Sequence, residues 1–212
     1  MSNLSVFKWL TGVLAVLCTG VMCIGMVSAV MLSSPDVVKP GEEVSIFIGN
    51  IGAGDPFQID IIGNIKIDAG SFFSFKLNKL NLPLDIANPT LRVYINGLVP
   101  DSKLNVSVNQ KKYNEVFDTA DSTGLYDYLI VRSGMPKGIY NVEINGTAAK
   151  TQVPVTFSIT GTNTNAEPLA ESTFSISGFS SGTFDVKTYV KNLAQPVERK
   201  QFTVQDQFIA TK

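Results

Sequence analysis

Asp118, Asp121 and Asp127 fall within one ten-residue stretch, and loop carboxylates at the end of a sheet are the ligands that calcium takes. Their spacing is not that of an EF-hand loop, which needs oxygen ligands at positions 1, 3 and 5 and a glutamate at 12. The competing reading is turn chemistry, in which an aspartate accepts hydrogen bonds from nearby backbone amides. Other catalytic equipment is scarce. The chain has no histidine, and its two cysteines, Cys18 and Cys23, both lie in an apolar N-terminal segment. Everything after Cys23 therefore lacks thiol and imidazole, which excludes cysteine–histidine and serine–histidine nucleophiles and ordinary zinc sites. No carboxylate pair is set in a pocket pattern that would serve hydrolysis. The expectation is a chain that is not an enzyme and has no cofactor other than the calcium those aspartates would hold.

Two Asn-x-Ser/Thr sequons, at Asn105 and Asn145, are candidate glycosylation sites in an exported chain. Proline excludes Asn88-Pro89-Thr90, and Asn3-Leu4-Ser5 precedes the apolar segment. Both remaining sites read as strand ends or turns. Tyr113, Tyr126, Tyr128, Tyr140 and Tyr189 are a candidate binding face for sugar or protein, although tyrosines at alternate strand positions are also ordinary half-buried sheet residues. The formal net charge is -1, from 17 basic and 18 acidic residues. The basic pairs Lys111-Lys112 and Arg199-Lys200 are isolated, so no nucleic-acid surface is expected.

The elements that would position these residues begin with the N-terminal segment. From Trp9 to Pro35 there is no charged residue, and the run is longer than the about 20 apolar residues that cross a bilayer. Two readings stand. Val27-Ser28-Ala29 offers small residues for a signal peptidase, with cleavage after Ala29. Alternatively the helix is retained as a transmembrane anchor with its N-terminus inside. Either places the rest of the chain outside the cytoplasm, secreted or membrane-anchored, with no disulfide to staple it.

After Pro35 the apolar periodicity is close to two, with β-branched and aromatic residues between Gly, Asn, Asp and Pro clusters. Strands are expected at 44–48, 58–62, 65–67, 71–77, 91–95, 104–108, 125–131, 139–144, 153–159, 173–176, 183–190 and 201–205, with a Gly63-Asn64 turn dividing the second from the third. The pattern predicts an all-β, antiparallel sandwich. Residues 161–168, Gly-Thr-Asn-Thr-Asn-Ala-Glu-Pro, read as a linker. The domain organisation expected is therefore a signal or anchor over 1–29, a sandwich over 36–160, the linker, and a small C-terminal β unit over 169–212. That unit carries a partial repeat. Arg132 to Val142 (RSGMPKGIYNV) aligns with Ile176 to Val186 (ISGFSSGTFDV), matching Ser133, Gly134, Gly138 and Val142 to Ser177, Gly178, Gly182 and Val186.

The segment from Asp121-Ser-Thr-Gly-Leu-Tyr through Met135-Pro-Lys-Gly-Ile-Tyr-Asn-Val resembles the immunoglobulin-like modules of prokaryotic surface proteins, including macroglobulin-like and invasin-like repeats. The resemblance covers about residues 118–159 and implies an immunoglobulin-like sandwich; its motifs are turn chemistry and specify no function. The general flavour also resembles archaeal envelope proteins. Taken together, the expected role is an exported, surface-attached structural or assembly protein. Its partners would be the membrane, other envelope proteins or copies of itself. The alternative is an extracellular adhesin-like module for glycan or protein ligands.

Overall fold

The computed structural model describes residues 36–109, 116–191 and 194–206. The chain divides into Met1–Ser33 and Ser34–Lys212. The first unit lies outside the described residues, with the expected helix and Ala29, and so do Lys111, Lys112 and Tyr113.

Among the described residues there are fourteen strands and no helix: β1 (Val37–Val38), β2 (Glu43–Ile51), β3 (Pro56–Lys66), β4 (Phe72–Leu82), β5 (Ile86–Asn96), β6 (Lys103–Asn109), β7 (Val116–Thr119), β8 (Leu125–Val131), β9 (Gly134–Met135), β10 (Gly138–Thr147), β11 (Gln152–Asn163), β12 (Glu167–Ser177), β13 (Ser181–Val190) and β14 (Glu198–Gln205). The larger sheet runs β1-β14-β13-β3-β11-β5-β8, with β9 beside β5; the smaller runs β2-β12-β4-β10-β6-β7. Only β1 on β14 is parallel among the described pairings. Alternation makes the sandwich: Phe57, Ile59, Ile61 and Ile65 of β3 face inward, as do Phe73, Phe75 and Leu77 of β4. Each such side chain contributes about 1.5–3 kcal/mol of burial. The sheets meet where Phe75 stacks on Phe184 with ring centroids 6.3 Å apart.

The connectivity is not the immunoglobulin-like order expected. Immunoglobulin sandwiches keep several consecutive strand pairs within one sheet. Here successive strands from β2 to β5, and from β9 to β13, cross from sheet to sheet. If β2, β3, β4, β5, β8, β10, β11 and β12 are counted first to eighth, the smaller sheet reads first-eighth-third-sixth. The larger reads second-seventh-fourth-fifth. That is jelly-roll connectivity. The β6–β7 hairpin extends one sheet and the β13–β14 hairpin the other.

Three expectations about local structure change with it. Gly63-Asn64 is not a turn, because β3 runs through it, pairing with β11 on one side and β13 on the other. Residues 161–168 do not separate two units. Gly161 and Thr162 continue β11, and Asn163, 1 % exposed, donates from its side chain to Gly52 O at 3.1 Å. A Cβ on Gly161 would lie 2.2 Å from Ile86, so this glycine serves close approach rather than flexibility. The C-terminal strands form no separate unit either: β12 lies between β2 and β4, and β13 pairs with β3. The repeat instead marks one device used twice, the passage from sheet to sheet. It carries the chain from β9 to β10 and, in the opposite direction, from β12 to β13. Tyr140 and Phe184, at equivalent places, are both buried.

Candidate functional site: an open sheet edge

The three aspartates are not brought together as ligands. Asp121 is spent on its turn, its Oδ1 accepting the Thr123 amide at 2.8 Å, the Thr123 hydroxyl at 2.7 Å and the Leu125 amide at 2.9 Å. Those bonds, the hydroxyl's first, hold its carboxyl below the usual range. Asp127 stands on the outer face of β8 in a two-pronged pair with Arg92 of β5, at 2.8 and 2.7 Å, which likewise lowers its carboxyl. Asp118 accepts the amide of Thr119. Among the described residues no cluster of three or more acidic, histidine or cysteine side chains is disposed to hold a metal.

The sequons fall within strands rather than at turns. Asn105 in β6 and Asn145 in β10 are half-buried and directly opposite each other on the outer face of the smaller sheet. Asn145 donates to Glu143, which also binds Lys76 at 3.2 Å. The described tyrosines do not form one exposed binding face. Tyr140 is buried and donates to Pro136 O, and Tyr126 is buried, its hydroxyl held protonated by burial first. Tyr128 stacks on Tyr126 at 6.0 Å, while Tyr189 lies across the sheet on β13.

What does stand out is how differently the sandwich edges are finished. An edge strand presents unpaired amides and carbonyls that invite another strand. At β2 three of these groups are taken by side chains of the larger sheet. Glu198 accepts the Phe47 amide at 2.6 Å, Thr188 donates to Phe47 O at 3.2 Å, and Lys200 donates to Ser45 O. Burial raises the Glu198 carboxyl and lowers the Lys200 ammonium, so the seal is partly withdrawn from water. The β1 edge is two residues long and the β7 edge four.

Among the described residues the opposite edge, β8, has no such seal. It pairs with β5 from Thr90↔Val131 to Asn96↔Leu125, and no described strand pairs with its other side. Arg132 N bonds Pro89 O and Gly124 O accepts from Leu98 N, so the even-numbered residues bond inward to β5. Antiparallel alternation then turns the backbone groups of Asp127, Leu129 and Val131 outward. Leu125, the next in that set, is taken by Asp121, whose amide it accepts and whose carboxylate it donates to. Leu129 is 56 % exposed and Val131 69 %. The sequence reading placed β8 correctly and missed these two residues. The signal was there: Leu129-Ile130-Val131 is an apolar triplet in a strand whose other positions alternate.

No protein-family model, no curated protein and no solved structure matches the chain.

Proposed function

We propose that this chain is an exported, surface-attached structural or assembly subunit of a cell envelope, acting through its sandwich edges and faces without catalysis. The observation that carries this reading is the contrast between a β2 edge partly closed by Glu198, Thr188 and Lys200 and a β8 edge that no described strand covers, beside exposed Leu129 and Val131. The long uncharged N-terminal segment supports the export part. Light scattering on the full chain in mild detergent, across a concentration series, tests it. Mass should grow with concentration or on addition of envelope extract. A monomer under both conditions overturns the reading.

A second reading, an adhesin-like binding module, draws on a shallow groove of about 620 Å³ on the outer face of the larger sheet, where Asp36, Asn64 and Gln201 surround Ile62 and Pro154. Polar groups around an apolar floor suit a saccharide. A glycan-array screen with Asn64→Ala and Gln201→Ala as controls tests it; binding indifferent to both changes, or no binding at all, removes the groove from consideration.

A further inference from the structure

We infer that the occupant of the β8 edge is a second copy of the same strand, paired antiparallel about a two-fold axis through Leu129, so that two sandwiches share one continuous sheet. The inference rests on the assembly reading above and names its partner and register.

The register follows from the backbone. The residues whose amides and carbonyls face outward, Asp127, Leu129 and Val131, are spaced symmetrically about Leu129. A two-fold axis there makes Leu129 pair with Leu129 of the second copy and Asp127 with Val131. All three residues then lie in hydrogen-bonded pairs, using every outward group of the free stretch. An axis through Tyr128 would call on Leu125, already bonded to Asp121 in both directions. An axis through Ile130 would leave Asp127 facing Ser133, whose carbonyl is turned inward to Asn88 N.

The side chains agree with the same axis. On the outer face the two Leu129 side chains cover each other, which answers their exposure. On the inner face Tyr128 comes opposite Ile130, and both already lie partly buried against the core. Aromatic against β-branched is a favourable cross-strand pair. Charge does not oppose it. Of the three outward residues only Asp127 is charged, its carboxylate is held by Arg92, and the axis sets the two Asp127 residues four positions apart along the strand, about 14 Å. A heterologous peptide would need none of this symmetry.

Site-specific cross-linking on the full chain tests the register. Cys18 and Cys23 are first replaced by serine, and single Leu129→Cys and Val131→Cys variants are oxidised mildly in detergent. In the proposed pairing the Leu129 Cα atoms are about 5.5 Å apart, within disulfide range, whereas the Val131 Cα atoms are separated by about 14 Å. Leu129→Cys is expected to give several-fold more disulfide dimer than Val131→Cys. The double variant Leu129→Lys/Val131→Lys, folded by its circular dichroism, is expected to lose the dimer. Equal cross-linking at both positions overturns the register. Wild-type self-association with no Leu129→Cys dimer overturns the edge pairing and leaves the assembly reading standing. A wild-type chain that neither self-associates nor binds envelope extract overturns both.

Discussion

The ring of Phe184 on β13 stands so close over Gly63 on β3 that a Cβ added to the glycine would lie 2.3 Å from the ring's Cε1. The ring cannot move away easily. It stacks on Phe202 at 5.7 Å, on Phe75 at 6.3 Å, and lies against Phe179 at 5.6 Å. Gly63→Ala is therefore expected to overpack this cluster and cost about 1–3 kcal/mol. Chemical denaturation would read it, and an unchanged midpoint would show that the aromatic cluster yields more readily than its packing implies.

Ending the chain at residue 160 should abolish folding rather than release a compact sandwich. β12 lies between β2 and β4, so its loss strands β2 away from its sheet. Phe174, Ile176, Phe184, Val186, Phe202 and Val204 also leave the core. A truncated chain with a cooperative thermal transition near that of the full chain would restore the expectation of a separate C-terminal unit.

Falling and rising pH should act on different carboxylates. Asp121 and Asp127 titrate below their usual value of 3.8, so their contribution to stability is present above that value and is lost as the pH falls through the lowered ones. Glu198 is raised by burial above its usual 4.5, so its contribution is full below 4.5 and is lost as the pH rises through the raised value. Glu198→Gln keeps an acceptor for the Phe47 amide without the charge. The variant should be at least as stable as wild type at neutral pH, with the difference closing on acidification below 4.5. A variant weaker at neutral pH would mean that attraction to Lys200 outweighs burial.

Calcium should leave the melting temperature unchanged, because Asp121 is engaged by Thr123 and Leu125 and Asp127 by Arg92. A calcium-dependent rise would require those bonds to open, and would return the aspartates to the status of a site.

Glycosylation at the two sequons should be mutually exclusive in the folded chain. Asn105 and Asn145 are direct cross-strand neighbours, with Cβ atoms about 4.5–5.5 Å apart, too close for two glycan stems to leave one sheet side by side. In a host that modifies exported chains, intact-mass measurement of the folded fraction should find at most one glycan on this pair. A doubly occupied folded species would contradict the register.

The fold class was legible because burial on one face of a strand writes itself as alternation. Leu91, Val93 and Ile95 against Arg92, Tyr94 and Asn96 needed no further information to be read as β5. The turn role of Asp121 was legible for a similar reason: its hydrogen bonds reach residues two and four positions away. The strand continuity through Gly63 and through Gly161-Thr162 was not. A glycine that marks a turn and a glycine that admits a neighbouring Phe184 or Ile86 are the same letter, and the neighbour arrives from distant sequence.

By itself the sequence determined that the described chain is built of strands with one apolar face each, and that it carries little of the usual catalytic side-chain chemistry. Those are local properties, set by residue type and a period of two. Tertiary structure decided the rest: jelly-roll rather than immunoglobulin-like order, β12 inserted between β2 and β4, Asn105 set against Asn145, and, among the described residues, one edge partly closed while another stays open. Each depends on which strands, separated by tens to more than a hundred residues, come to lie side by side. Alternation tells a strand which face to bury and leaves its neighbour unspecified.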